Sequence, residues 1–475
     1  MAPDWAAVLD RIVKANDVRG RVPDELGPHV AYALGVAAAE QLAGEPHALL
    51  SGRDMRAHSA MLQQAFNGGV LAAGVDVVDI GLVATDQLYY ATGALGLGGA
   101  VFTPSHNPAD YGGVKFSRPA ALPVGLETGL AQVRDRAVEV LTAGLAPSGP
   151  AGDGSRTTAD TLPGYATKLA ELVDLSSIRP LSVVIDAGNG MAGLTAPAVF
   201  AGTPIKVIPL YFELDGTFPN HEANPLVPAN LVDLQAEVRR TGADAGLAFD
   251  GDADRCFLVD ETGAVVPPAA VTALITRSEL AAHPGAPVIH NAITSTVVPE
   301  VIREAGGKPI RTRVGHAFIK AEMARTGAVF GAEHSAHYYF HGFWGADSGM
   351  LAALHVLRQL GSGEVPLSAL VSAFDRYVAS GELNSTVSDV RSVLDRIREL
   401  GPDLRALTGA ESDVLVDELD GVTLAPAVTD GASPEWWVNV RPSNTEPLLR
   451  LNVEAADGTT MQALRDHVLQ TIRGR

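Results

Sequence analysis

Short apolar runs that stop abruptly in polar, glycine-bearing loops punctuate this chain, and they restrict what it can fold into. Ala48-Leu49-Leu50-Ser51 runs into Gly52-Arg53-Asp54-Met55-Arg56, and Gly98-Gly99-Ala100-Val101-Phe102 into Thr103-Pro104-Ser105-His106-Asn107-Pro108. Leu181-Ser182-Val183-Val184-Ile185-Asp186 ends in Ala187-Gly188-Asn189-Gly190, and Ala245-Gly246-Leu247-Ala248-Phe249 in Asp250-Gly251-Asp252-Ala253-Asp254-Arg255. Apolar runs of this length, bounded by turn formers, read as buried strands. Between them lie helical patterns at residues 30–42 and 59–73 and a further strand at residues 75–80. Such alternation predicts an α/β fold with partly parallel sheets. Polar loops at the ends of buried strands are where catalytic groups are expected.

A chain of 475 residues exceeds one ordinary core and predicts three or four domains. With 47% hydrophobic and 19% charged residues it is globular rather than disordered. Residues 145–158, rich in Gly, Pro, Ser and Ala, read as a linker or solvated loop. A second α/β unit follows, and a third begins near Pro267 with a helix at 297–304 and a strand at 328–330. The last part, from about Gly381, carries a helix at 389–400 and strands near Val414 and at 436–440. The expected domains are 1–155, 156–260, 261–378 and 379–475.

The single cysteine, Cys256, excludes an intramolecular disulfide, fits a reducing compartment and reads as a core residue beginning a strand. No signal peptide and no long apolar span is evident, so the expected localisation is cytoplasmic, with no membrane partner. A formal charge of −20 opposes binding to nucleic acid. An anionic small substrate would need a local cationic pocket, which makes the placement of the few basic residues informative.

Four loops carry the chemistry. Ser105 stands between Pro104 and His106 in a stiff turn, with Gly112-Gly113 and Lys115 following. Taken alone it reads first as a structural turn residue that satisfies backbone groups and second as a hydroxyl presented for covalent catalysis, and no G-x-S-x-G elbow surrounds it. Asp250, Asp252 and Asp254 place three carboxylates at alternate positions after a strand. Oxygen-only ligands favour Mg²⁺, Mn²⁺ or Ca²⁺ over zinc. An EF-hand calcium loop requires glycine at its sixth position, where Arg255 stands. Glu333-His334-Ser335-Ala336-His337 sets an acid among short donors and acceptors suited to sugar hydroxyls. Arg441-Pro442-Ser443-Asn444-Thr445-Glu446-Pro447 combines a guanidinium with small hydroxyl and amide groups, a pattern for an anion nest or, equally, a polar hairpin. Arg311-Thr312-Arg313-Val314-Gly315-His316 with Lys320 reads as a solvated basic face. Gly188, Gly190 and Gly193 meet the spacing of a dinucleotide fingerprint. Asp186 would repel a pyrophosphate there, and Pro209 interrupts the next strand, so a structural turn is the better reading.

In order and type, these four loops resemble those of the α-D-phosphohexomutases, over almost the whole chain from Lys14 to Val453. The phosphomannomutase/phosphoglucomutase branch is the nearest likeness. The resemblance implies four domains around a central cleft, three α/β domains with mixed sheets plus a C-terminal α+β domain. Ser105 resembles the family's phosphoserine, and Asp250, Asp252 and Asp254 its Mg²⁺ ligands, with Ser105 phosphate as a further ligand. Lys115, His106 and His316 resemble the groups around proton transfer, and Arg19 an arginine near the nucleophile. Glu333, Ser335 and His337 resemble sugar readers, with Arg255 and Gly315 also on the substrate. Arg441, Ser443, Asn444, Thr445 and Arg450 resemble the clamp on the non-reacting phosphate. Asn16 stands where the family often has tyrosine, and Ala332 and Ala336 where it often has glycine. The implied reaction is mannose 6-phosphate to mannose 1-phosphate through hexose 1,6-bisphosphate. Glucose phosphate is the alternative, and an aminosugar phosphate or a non-catalytic metal- or sugar-phosphate-binding role comes behind it. The partners would be small hexose phosphates, and the protein a monomer or homodimer.

Overall fold

The computed structural model describes residues 3–44, 46–144, 153–429, 432–443 and 448–474. The chain divides into two compact units, the first made of 1–266 with 335–370 and the second of 267–334 with 371–475.

The first unit contains two mixed sheets. One runs in the order Val18–Arg21, Tyr111–Ser117, Gly98–Phe102, Ala48–Arg53, Asp76–Leu82, Arg156–Thr158. Its last four strands are parallel, and the first two are antiparallel to their neighbours. The helices Pro28–Leu42 and Ser59–Ala72 pack against each other without intervening bulk: a Cβ at Gly35 would lie 2.1 Å from the Phe66 carbonyl oxygen, and one at Gly69 2.1 Å from that of Tyr32. That close approach is why the first helix is rich in alanine. Phe66 meets Phe102 edge-on at 5.3 Å and ties the helix layer to the strand that leads to Ser105. The expected linker is corrected here. Its residues 145–152 lie outside the described residues, but Arg156–Thr158 forms the edge strand of the sheet. All three of its residues are exposed, so no apolar alternation marks it as a strand.

The second sheet runs Val265–Val266, Cys256–Asp260, Ala245–Phe249, Leu181–Asp186, Ile205–Leu210, antiparallel at its first two junctions and parallel at the others. Cys256 begins a strand and is fully buried, as expected. Pro209 does not interrupt its strand, because that strand lies at the sheet edge, where a missing N–H is tolerated. Tyr338–Phe340 and Ala346–Asp347 pair antiparallel ahead of the helix Gly349–Gly361, whose N-cap Ser348 accepts from the Leu351 N–H.

The second unit holds the parallel strands Lys308–Thr312, Pro287–Asn291 and Phe330–Ala332. It also holds an antiparallel sheet in the order Val378–Ala379, Leu448–Ala455, Trp436–Pro442, Val422–Pro426, Val414–Asp417, with Leu383–Thr386 also pairing with Leu448–Ala455. In Trp436–Pro442 the alternation is clean. Trp436, Val438 and Val440 join the core beneath Val390–Arg398 and Gly458–Arg473, and the period of two puts Trp437, Asn439 and Arg441 on the opposite face. These three bond to Glu454, to Thr423 and the Asp420 carbonyl, and to Glu382 respectively.

Candidate active site

Gly98–Phe102 delivers the serine loop, and Ala245–Phe249 delivers the acidic loop beside it. Ser105 is 3% exposed and sits at φ 56°, left-handed and strained for a residue with a side chain. Glycines on both sides make room. A Cβ at Gly251 would come within 2.6 Å of the Ser105 carbonyl oxygen, and one at Gly113 within 2.5 Å of that of Thr103.

The Ser105 hydroxyl donates to Asp250 Oδ2 at 2.9 Å. Arg255 clasps the same carboxylate oxygen, with Nε at 2.9 Å and Nη2 at 2.7 Å, and Nη2 also approaches Ser105 Oγ at 3.4 Å. Arg255 also bonds to His106 Nδ1. Burial, then Arg255 and Arg19, push the His106 imidazole well below its ordinary pKa. Ser105 Oγ also lies 3.2 Å from His106 Nδ1, but the Arg255 guanidinium occupies that nitrogen, so it is not free to serve as the base of a serine-hydrolase relay.

Lys115 Nζ lies 2.6 Å from both Asp252 Oδ2 and Asp254 Oδ2. Burial opposes its charge, yet these two carboxylates hold it well above the ordinary lysine range. Against the same burial, Lys115 holds Asp252 low, while burial and its acidic neighbours raise Asp250 despite Arg255. Thr85 donates to Asp252 Oδ2 at 2.6 Å, and its N–H donates to the Asp252 carbonyl. Arg19 bonds to Asp17 at 2.8 Å and to Asn107 Oδ1 at 2.6 Å.

Oxygens of Asp250, Asp252 and Asp254 lie within 4.8 Å of one another. Asp252 Oδ1 and Asp254 Oδ1 are buried with no hydrogen-bond partner among the described residues. Orphaned carboxylate oxygens converging in an all-oxygen set fit a hard divalent cation. His337 Nδ1 lies 3.1 Å from Asp347 Oδ2 and 3.9 Å from Asp254 Oδ1, so it borders the same acidic group. Burial opposes the imidazolium, but the two carboxylates raise its pKa. Ser335 is half-buried in the preceding turn, and Ala336 takes φ 65° there, the left-handed conformation that glycine would hold more easily.

In the second unit, Arg441 and Arg450 are direct cross-strand partners, an unfavourable pairing of like charges. Glu382 resolves it, with Oε2 2.6 Å from Arg441 and Oε1 3.1 Å from Arg450. Ser443 Oγ lies 3.4 Å from Arg450, while Asn444 and Thr445 lie outside the described residues. Gly315, at φ 132°, precedes the helix His316–Thr326, with His316 in its first turn. Glu333 is 5% exposed just after Phe330–Ala332. The neighbouring basic residues serve structure: Arg311 pairs with Asp417, and Arg313 lies over the Phe318 ring. The glycine turn after Asp186 is likewise structural, its carboxylate capping the Gly188 N–H and meeting His221. Thr85, Glu382 and Asp347 were not foreseen. Each acts on a residue distant in sequence, or stands in a segment without a motif.

Comparison with known proteins agrees along the whole chain. Four family models match in succession: phosphoglucomutase/phosphomannomutase alpha/beta/alpha domains I at residues 10–137, II at 163–263 and III at 267–377, and the C-terminal domain at 382–471. A protein of Xanthomonas campestris named phosphohexose mutases is 39% identical, over 97% of this chain and 99% of its own. The phosphomannomutase of Escherichia coli K12 is 36% identical, over 97% and 98%. The crystal structure of a phosphoglucomutase/phosphomannomutase family protein from Burkholderia thailandensis superposes with a TM-score of 0.83 at 30% identity, covering 98% of each chain. The chain belongs to the phosphoglucomutase/phosphomannomutase family, the α-D-phosphohexomutases, which are isomerase-type phosphotransferases.

Proposed function

We propose that this protein is a Mg²⁺-dependent phosphomannomutase that interconverts mannose 6-phosphate and mannose 1-phosphate through a phosphoserine at Ser105 and a hexose 1,6-bisphosphate. The observation that carries the reading is the Ser105 hydroxyl, 2.9 Å from one member of a three-aspartate group with two orphaned oxygens. The names of the relatives support mannose as the sugar.

In the first half-reaction the bond from phosphorus to Ser105 Oγ breaks, and a bond to the free sugar hydroxyl oxygen forms. The proton of that hydroxyl is passed on to the departing Ser105 Oγ, and the second half-reaction returns it. In the second half-reaction the bisphosphate, turned end for end, returns its other phosphoryl group to Ser105. Phosphoryl transfer asks the protein chiefly for in-line placement and charge neutralisation. Asp250, Asp252 and Asp254, with an oxygen of the serine phosphate, would hold Mg²⁺, which when bound neutralises charge on the transferring group. Arg255 and Arg19 bring fixed positive charge to the Ser105 end. Lys115, charged in the resting protein, neutralises charge at the sugar oxygen and gives it a proton when that oxygen departs in the second half-reaction, with the proton that Ser105 Oγ releases there restoring the lysine's charge. Glu333, Ser335 and His337 read sugar hydroxyls, Gly315 contributes a further substrate contact, and His316 is a second candidate for proton transfer. Arg441, Ser443, Asn444, Thr445 and Arg450 hold the idle phosphate, turning binding energy into orientation at the reacting end.

Among the described residues no helix is long and apolar enough to cross a membrane, in keeping with a cytoplasmic sugar-phosphate enzyme. The test is turnover of mannose 1-phosphate and glucose 1-phosphate side by side, with bisphosphate activator and Mg²⁺. Mannose-preferring turnover that chelation removes is expected. Preference for glucose phosphate would shift the substrate, stoichiometric phosphate release would indicate a phosphatase, and tight Ca²⁺ binding without turnover a binding protein.

A further inference from the structure

The strained conformation of Ser105 needs a cause, and the best candidate is a residue outside the set described above. Arg56 ends the loop after Ala48–Arg53 and is 1% exposed, one of the largest fully buried side chains in the chain. Its guanidinium points into the back of the serine loop. Nη2 donates to the carbonyls of Ser105 at 3.1 Å and Asn107 at 2.6 Å. Nη1 donates to the carbonyls of Pro108 at 2.6 Å and Tyr111 at 3.4 Å. One side chain thus satisfies four backbone acceptors within seven residues, including the carbonyl of the strained residue itself.

Arg56 is held just as firmly. Its N–H donates to Asp54 Oδ1 at 3.0 Å, and Nε stands 3.4 Å from Asp54 Oδ2, a charge contact rather than a hydrogen bond. Asp54 also accepts from the Ser59 hydroxyl at 2.6 Å, and its N–H donates to the Phe102 carbonyl. The Phe218 ring covers the guanidinium at 4.8 Å, and a Cβ at Gly216 would strike Arg56 Cα at 2.6 Å. No mobile ion or solvent molecule could replace such an arrangement. A guanidinium alone among side chains presents donors on two terminal nitrogens in a fixed plane, and lysine would supply a point charge that can reach only part of the set.

We infer that Arg56 is a positioning residue for phosphoryl transfer: by tying the Ser105, Asn107, Pro108 and Tyr111 carbonyls to one buried guanidinium, it fixes Ser105 in its left-handed conformation and aims Oγ at the reacting phosphoryl group. The inference rests on the reading of Ser105 as the phosphoryl carrier. Arg56 is fully buried and its terminal donors are spent on backbone carbonyls, so its loss acts on placement. A misplacement of about 1 Å costs on the order of 100-fold in rate.

The test is Arg56→Lys, assayed beside wild type by single turnover from the phosphorylated enzyme to hexose 6-phosphate. The expected result is a rate per phosphoserine lower by about 30- to 100-fold, with KM changed less than threefold and the amplitude per folded chain retained. A purely structural role would lower the amplitude and the melting temperature and leave the rate per phosphoserine unchanged, and that outcome overturns the inference. If Arg56→Lys does not fold, Asp54→Asn decides. A fivefold or greater loss of the same rate supports the inference, and an unchanged rate overturns it. Amide hydrogen exchange gives a readout that needs no catalysis: residues 105–111 exchange faster in Arg56→Lys while 250–255 do not. Wild type without mutase turnover would refute the proposed function, whereas active wild type with an equally fast Arg56→Lys would refute only the role of Arg56.

Discussion

The acidic loop of the first unit and the arginine pair of the second face opposite charge problems and meet them differently. Three buried carboxylates are gathered at Asp250, Asp252 and Asp254, with buried Arg255 and half-buried Lys115 as counter-charges. Two guanidiniums meet across a strand pair at Arg441 and Arg450, countered by Glu382, whose side chain is 24% exposed. The acidic group is over-determined yet leaves two carboxylate oxygens without a hydrogen-bond partner among the described residues, a deficit that a cation would fill. The arginine pair is countered by an anion within reach of solvent, although Nε of both arginines is buried without a hydrogen-bond partner among the described residues, and a substrate phosphate can take that anion's place. On the proposed reading, the residues assigned to chemistry are held by several buried partners, and those assigned to recognition by one exchangeable anion.

Mutations should separate these two characters. Ser105→Ala removes the phosphoryl carrier, and kcat falls by at least about 10³-fold, as for loss of a nucleophile; a smaller loss in a steady-state assay would break the comparison on its chemical side. Asp252→Asn weakens both the cation site and the Lys115 contact. The Mg²⁺ concentration for half-maximal activity rises about 10- to 100-fold, read by titration of activity. Arg441→Ala acts on binding. A lost charge-assisted contact of about 1.5–3 kcal/mol raises KM roughly 10- to 100-fold with a smaller change in kcat. An equal fall in kcat at constant KM would put Arg441 with the chemistry residues instead. Glu382→Gln frees the arginine pair for phosphate, lowering KM about threefold and costing up to about 1 kcal/mol of stability from the cross-strand repulsion, read by thermal unfolding.

The smallest effect contrasts one buried group in each unit. Burial pushes Asp86 in the first unit up to about 7, against hydrogen bonds from Ser348 and Tyr165. The folded state then binds the extra proton, so stability is greatest at low pH and is lost as pH rises from about 4 to about 7. Burial pulls His290 in the second unit down to about 4. There the unfolded state binds the extra proton, so stability is full above about 6.5 and is lost as pH falls towards 4. Asp86→Asn and His290→Gln should each remove a slope of at most about 1.4 kcal/mol per pH unit, of opposite sign. Denaturant unfolding across pH 4–7.5 reads both, and slopes of the same sign would contradict the assignment.

How legible the site was depended on the distance in sequence between partners. Asp250, Asp252 and Asp254 are neighbours after an apolar strand, and their clustering needs no tertiary knowledge. Ser105 stood out by its turn formers. Thr85, by contrast, meets Asp252 across 167 positions, and nothing in its local sequence distinguishes it from any threonine opening a helix. Glu382 lies 59 and 68 positions from its two arginines. Arg56 was visible as part of a polar loop after a buried strand but not as a tie on another loop. The fold read well where continuous burial imposed an apolar or small-residue composition, as in Trp436–Pro442 and in the alanine-rich helix Pro28–Leu42. It misread where edge position relaxed the rules, at Pro209 and at exposed Arg156–Thr158. Those two share a cause: an edge strand has one free side, so neither hydrogen bonding nor apolar patterning constrains its residues.

The most direct test of the account follows one phosphoryl group. The protein is charged with labelled hexose 1,6-bisphosphate, mapped by mass spectrometry, and then mixed with unlabelled mannose 6-phosphate and Mg²⁺. The account predicts one label per chain, on Ser105, leaving on a single-turnover time scale to appear in mannose 1,6-bisphosphate. Label on another residue, or its release as inorganic phosphate at the same rate, would contradict it.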